Sequence, residues 1–315
     1  MVMKKAVGLR IIGVVILVWL LSRVALRDIR TILANAHWML IWSALFFTLL
    51  QSLVKFIRYQ YILIQQSVNL PFVKTVQISM AAMYLSFITP GRAGEIAKAF
   101  FIHQSHSVPL KRLLAGNILD RLYDVYVLIF TALVGIGFVI KPSGSGSAML
   151  ILTLVGIALA PLLMFIPVVR HVCLSCVSWL PGKFQKTRHF YDQLNDFMKE
   201  LDLLMSWKLL WGLGFTVCAY LIFFYACTLM ALSVGVSLSF YKMAFIVAWV
   251  NIASFLPISF AGIGTREACL VYFFAQEGLT SEAALAYSAV MFVLSYVIFG
   301  ILGFGALMTL KDKGD

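Results

Sequence analysis

The chain has 315 residues, of which 62% are hydrophobic and 12% charged, and its mean hydropathy is +0.96. Soluble domains carry about 25% charged residues, so a soluble enzyme, a secreted disulfide scaffold, a disordered chain and a coiled coil are all excluded. Net charge is +12, which in a membrane chain reads as positive-inside topology and attraction to anionic lipid headgroups, with no nucleic acid as partner.

In chain order, Lys4, Lys5 and Arg10 precede an apolar run ending near Leu21. No small-residue cleavage site follows it, so an uncleaved span is expected at 8–26. A long span at 37–64 ends with Lys55 and Arg58, expected to snorkel to the interface. Further spans are expected at 118–140, 148–167, 208–234 and 283–309. Two apolar segments, 74–89 and 241–258, are short and stop at Pro-Gly or Gly-rich breaks, and a charged turn and a second apolar stretch follow each (Ile96 to Ile102, Ala268 to Phe274). Short, broken and charged segments suit re-entrant helices, which a bilayer tolerates only inside protein or along a wet cavity.

The expected fold is therefore all-α: a polytopic integral membrane protein with six full crossings and two re-entrant broken helices, the alternative being eight spans if both broken segments cross fully. The six-crossing count puts both termini in the cytoplasm, together with Lys111, Arg112 and the basic loop holding Arg170, Lys183, Lys186, Arg188 and Lys199. One loop disagrees, because Arg23, Arg27 and Arg30 fall outside. Segment 183–206 reads as an amphipathic helix within a cytoplasmic loop at 168–205. Cys173 and Cys176 near His171 lack a second pair and are read as packing residues, not as a metal site.

Ser86-Phe87-Ile88-Thr89-Pro90 resembles Ser254-Phe255-Leu256-Pro257 at an offset of 168 (254 − 86), and Ile129-Phe130 matches Ile298-Phe299 at 169 (298 − 129). A glycine turn and a charged pair follow each break: Gly94-Glu95, then Arg266-Glu267. A near-constant offset argues for duplication, with halves at about 37–141 and 206–309. Under the six-crossing count the halves are inverted, an architecture used by transporters.

Ionisable groups inside membrane segments cost about 2.5–3.5 kcal/mol each, so they need a partner or a task. The first set is Arg92, Glu95 and Lys98, in a turn with Pro90, Gly91 and Gly94. A helix expected to start near Gly94 would offer free N–H groups to an anion beside Arg92, and Glu95 and Lys98 lie one turn apart. The second set, Arg266 and Glu267 after Gly262, Gly264 and Thr265, repeats that device, with Thr265 suited to capping. The third is Asp120, Arg121 and Asp124: the two carboxylates share a helix face and Arg121 neutralises only one. The other is expected to face Lys98, Arg92 or Arg266. Asn251 and Ser254 are read as satisfying backbone groups freed by Pro257. His103 and His106 are read as interfacial. No nucleotide loop, nucleophile–base pair or metal-binding helix motif is present, so no catalytic residue, metal or cofactor is assigned.

Pro90-Gly91-Arg92-Ala93-Gly94-Glu95, Asp120-Arg121 with Asp124, and Gly262-Ile263-Gly264-Thr265-Arg266-Glu267-Ala268 resemble the lysylphosphatidylglycerol synthase transmembrane-region family. The resemblance implies a polytopic bundle with re-entrant helices in an inverted pseudo-repeat, and movement of lipids between leaflets. It places Arg92, Glu95, Asp120, Arg121, Asp124, Arg266 and Glu267 around the lipid pathway. The chain ends at Asp315, so no synthase domain and no lipid aminoacylation are expected. The expected function is a flippase for an anionic phospholipid or polyprenyl-linked lipid in the cell membrane, working without ATP. The alternatives are a non-transporting subunit that docks a lipid-modifying enzyme through 168–205, and an enzyme using Glu95, Asp120 and Asp124. Such a bundle is compatible with a homodimer.

Overall fold

The computed structural model describes residues 26–106, 108–139, 209–255 and 262–311. The expected spans at 8–26 and 148–167, the 168–205 loop with its amphipathic helix, and Cys173, Cys176 and Pro257 lie outside these residues, apart from Leu26. Among the described residues every element is helical: α1 (Leu26–Ala34), α2 (Trp38–Gln65), α3 (Phe72–Ile88), a 3-10 turn (Pro90–Ile96), α4 (Ala97–Ser105), α5 (Leu110–Val139), α6 (Leu209–Ser233), α7 (Phe240–Phe255), α8 (Thr265–Gln276), α9 (Ser281–Phe292), a π turn (Val293–Val297) and α10 (Ile298–Lys311).

Trp38–Gln65, Leu210–Ser233 and Ser281–Leu310 are long and apolar enough to cross a membrane. Helix α5 has 30 residues, about 45 Å at 1.5 Å per residue, but carries Asp120, Arg121 and Asp124 in its middle. Trp38, Trp42, Phe46, Phe130, Trp211 and Ile301 all point outward, more than half exposed. Apolar surface on that scale, on helices of spanning length, suits a lipid surrounding. The stretch around Arg27 and Arg30, read from sequence as a loop, is helical.

Both short segments fold back. After α3 the chain turns at Thr89 and the 3-10 turn packs on the end of α3. A Cβ on Gly94 would lie 2.3 Å from the Leu85 carbonyl carbon, so only glycine lets the two backbones meet. After α7, Gly262 (φ +77°) sits against Ser254, with 2.7 Å between a Cβ placed there and Ser254 Oγ. Gly94 and Gly262 are 168 residues apart (262 − 94), as are Ser86 and Ser254.

The same interval runs through the helices. Gln65 and Ser233 end α2 and α6, Phe72 and Phe240 begin α3 and α7, and Ala97 and Thr265 begin α4 and α8, each pair 168 apart (233 − 65, 240 − 72, 265 − 97). Packing follows suit: α2 lies along α6, α3 packs on α10 and α7 packs on α5, while α4 and α8 rest on α5 and α9. The interval rises to 169 only past the π turn. An i→i+5 turn holds one residue more than an α turn, and Val293–Val297 is such a turn at the place where the interval changes.

At this interval Gly262 stands opposite Gly94 and Arg266 opposite Lys98 (266 − 98 = 168), while the sequence reading sets Gly94-Glu95 beside Arg266-Glu267.

Candidate functional site

Six side chains from α2, the 3-10 turn, α4 and α5 close a ring in which positive and negative charges alternate. Arg58 meets Asp120 at 2.7 Å and Asp120 meets Lys98 at 3.2 Å. Lys98 meets Glu95 at 2.7 Å, and Glu95 Oε1 meets Arg121 Nη2. Arg121 approaches Asp124 at 3.9 Å, and Asp124 returns to Arg58 at 2.8 Å. The spacing of the helices makes the ring. Asp120 and Asp124 are one turn apart on α5, which matches the span of a planar guanidinium that donates from Nε to Asp120 Oδ1 and from Nη1 to Asp124 Oδ1, both at 2.8 Å. Arg58 Nη1 also donates to Thr216 Oγ1 on α6 at 2.9 Å, and Nη2 to the Asp120 carbonyl at 3.2 Å. Tyr59 donates to Asn117 Oδ1 at 2.7 Å and lies under the Lys98 ammonium, 4.6 Å from its ring centre.

Lys55 and Arg58 were expected to snorkel. Instead Arg58 is 1% exposed, and Lys55 sits 3.3 Å from Asp124 and 4.5 Å over the Tyr220 ring. Snorkelling loses because two carboxylates on the facing helix give the guanidinium a full hydrogen-bonding shell, whereas an unpaired Asp120–Asp124 face would be costly in this interior. The carboxylate that Arg121 does not reach, Asp120, faces Lys98 at 3.2 Å, one of the three cations expected, and takes Arg58 as well. Arg121 reaches Glu95 first and Asp124 only distantly.

The expected anion-binding helix start at Gly94 is also corrected. The α-helix begins at Ala97, and the Gly94 N–H donates to Thr89 Oγ1 at 2.7 Å, so that donor is already used within the turn. Pro90, Gly91 and Arg92 lie in the 3-10 turn; the Arg92 side chain is outside the described residues.

Arg266 and Glu267 do not join the ring. Glu267 Oε1 accepts from Arg266 Nε at 3.0 Å and from Ser288 Oγ at 2.7 Å, while Oε2 accepts from the Gly264 N–H at 2.6 Å and caps α8. Thr265, expected to cap, donates to the Gly262 carbonyl at 3.0 Å instead. The Arg266 guanidinium lies 5.3 Å from the ring centres of both Phe292 and Tyr296. Asn251 and Ser254 bond to carbonyls one turn back, Val247 at 2.9 Å and Val250 at 2.7 Å, so both serve their own helix. His103 is exposed and its Nδ1 lies 2.7 Å from the Val108 carbonyl oxygen.

The ring forms one wall of a cavity of about 120 Å3, enough for several waters. Lys55, Arg58, Glu95, Lys98, Asp120, Arg121 and Asp124 all line it, opposite Asn251, Ser295 and Tyr296 from the later part of the chain. Among the described residues the lining holds four cations and three carboxylates, so with all of them ionised its charge is 4 − 3 = +1. Three cations belong to the ring, and Lys55 supplies the excess.

The family described as "Lysylphosphatidylglycerol synthase TM region" matches residues 5–303. The chain belongs to this family. It is also 18% identical to a UPF0104 membrane protein of Methanocaldococcus jannaschii over 99% of this chain and 96% of that one. The lysylphosphatidylglycerol synthase TM region is membrane-embedded, and with the apolar helices this makes the chain a multi-pass membrane protein. Sequence reasoning missed Arg58 and Thr216. The only signal for Arg58 was its position in a span, three residues from Lys55.

Proposed function

We propose that this member of the family moves an anionic or lipid-linked phosphate-bearing lipid between leaflets, without ATP hydrolysis and without acting as an enzyme. The observation that carries the reading is the charged cavity between helices of the two sequence halves, with a buried ring on one wall and a net charge of +1. A phosphodiester carries one negative charge and matches that excess, and a lipid-synthesis-related family makes a membrane lipid the natural ligand. Lys55 is the group best suited to meet it. Its side chain is 23% exposed against 1% for Arg58, and its carboxylate partner among the described residues, Asp124, is already held by Arg58.

Six crossings, inverted halves and cytoplasmic termini remain part of this proposal. The constant interval of 168 and the exchange of packing partners support duplication, and sites between inverted repeats are how secondary transporters alternate access. In the bound state the phosphate would draw Lys55 away from Asp124, leaving Arg121 to close on that carboxylate from its present 3.9 Å. The three carboxylates each face cations, a setting that disfavours a divalent metal and counts against metal-assisted hydrolysis.

The test is reconstitution of the full chain into vesicles carrying fluorescent phosphatidylglycerol, followed by quencher access to the inner leaflet. Wild type should expose the inner pool, and Lys55→Gln should slow exposure at least tenfold while retaining the wild-type melting temperature. Equal rates for protein-free, wild-type and Lys55→Gln vesicles, repeated with a labelled polyprenyl phosphate, would sink the reading.

A further inference from the structure

A second cavity, of about 430 Å3, lies between α1, the start of α8 and α9. Five of its lining residues are Ile263, Arg266, Ser288, Ala289 and Phe292. Each stands 168 residues after a residue of the charged cavity: Glu95, Lys98, Asp120, Arg121 and Asp124 respectively. The two cavities thus occupy the same place in the two halves, between the fold-back turn and the helix that follows it.

Their chemistry differs. Ile263 stands where the first cavity has Glu95, Ala289 where it has Arg121, Phe292 where it has Asp124, and Ser288 where it has Asp120. At these positions only a cation is common to both, Lys98 in the first and Arg266 in the second. The counter-charge of Arg266 comes from Glu267, where the first half has Ala99. Arg266 is 3% exposed, and its Nη1 makes no hydrogen bond among the described residues. A buried guanidinium nitrogen left so is costly, and an acceptor oxygen lodged beside it offsets that cost. At the edge stands Arg30 of α1, exposed and positive, next to Ile29 and Leu33. An apolar cavity of this size with a few convergent polar groups is the usual form of a site for an amphiphilic ligand.

We propose that this second cavity binds the hydrocarbon chain of an anionic lipid, with an ester or phosphate oxygen beside Arg266 and the headgroup at Arg30. The site is distinct from the charged cavity and holds whether or not lipid crosses the membrane there. The first cavity suits a headgroup, and the second suits the chain.

Native mass spectrometry of the full chain in mild detergent tests this, with phosphatidylglycerol, phosphatidylcholine and glycerol 1-phosphate as probes. Wild type should retain phosphatidylglycerol, and Ala289→Trp, which fills the cavity, should retain one molecule fewer. Arg30→Gln should keep the stoichiometry but lower the preference for phosphatidylglycerol over phosphatidylcholine by about threefold, the modest effect of an exposed charge. Glycerol 1-phosphate, which has no chain, should not displace either lipid. Unchanged lipid stoichiometry in a folded Ala289→Trp protein overturns the proposal, as does displacement by glycerol 1-phosphate. Should Ala289→Trp not fold, Ala289→Leu is read in the same way. Loss of a lipid in Lys55→Gln but not in Ala289→Trp would assign bound lipid to the charged cavity alone and overturn the second site.

Discussion

Lys98 and Arg266, 168 residues apart, each reach the residue 22 positions further along the chain at 3.2 Å: Lys98 the carboxylate of Asp120, Arg266 the hydroxyl of Ser288. One contact is a buried ion pair and the other a charge-assisted hydrogen bond, so their energies should differ although their geometry is shared. Lys98→Ala should cost about 3–5 kcal/mol, because it strips a cation from the buried Asp120 and the half-buried Glu95. Ser288→Ala should cost about 1–3 kcal/mol, the penalty for removing one hydrogen-bond partner. Unfolding in detergent measures both, and equal costs would contradict this difference between the two contacts.

Arg58 should be the least replaceable residue of the ring. Arg58→Ala leaves Asp120 and Asp124 buried without their shared partner and should cost about 3–5 kcal/mol. Arg58→Lys should recover only part of that loss, since an ammonium cannot bridge two carboxylates from one plane. Full recovery by lysine, seen as a wild-type melting temperature, would mean that the fork geometry is unimportant.

The two fold-back glycines should respond differently to rescue. In Gly94→Ala the new methyl meets the Leu85 backbone at 2.3 Å, which no neighbouring side-chain change can relieve. In Gly262→Ala the nearest atom is Ser254 Oγ at 2.7 Å, so adding Ser254→Ala should recover part of the lost stability. The remaining deficit reflects the +77° φ, a conformation that alanine adopts at a cost of about 1–2 kcal/mol. Stability recovered to the same extent at both sites would rule out this contrast.

Glu267→Gln should separate capping from charge. The amide oxygen can still accept one hydrogen bond, but Arg266 is left buried without a counter-charge, so a loss of about 3 kcal/mol or more is expected. The second variant, Glu267→Gln with Arg266→Leu, removes the stranded charge and should be more stable than Glu267→Gln alone. A double variant less stable than the single one would place the value of Glu267 elsewhere.

Much of the helical layout was legible because apolar length and Gly-Pro breaks are local signals. Expected spans at 37–64 and 208–234 correspond to Trp38–Gln65 and Leu209–Ser233. The pairing of Glu95 with Lys98 was legible for the same reason, being one turn apart on the chain. Arg58 was not, because its partners are 62 and 66 residues away and the sequence shows only a cation near the end of a span. Arg266 was misplaced for the opposite reason. A carboxylate on the adjacent residue satisfies it locally, and the search for a distant acidic partner overlooked that simpler outcome.

The π turn at Val293–Val297 has a thermodynamic consequence for any machine that rocks between two shapes. If the halves were identical and inverted, exchanging their conformations would return the same structure upside down, and the two end states would be degenerate. On the proposed inverted-repeat reading, an extra residue at the π turn, where Ser295 and Tyr296 border the charged cavity, would remove that degeneracy. An energy gap of only about 1.4 kcal/mol holds the resting ensemble tenfold toward one leaflet. On the proposed transport reading such a gap sets which side the empty protein waits on, and so the rate of loading from each leaflet, while the lipid gradient alone sets the net direction.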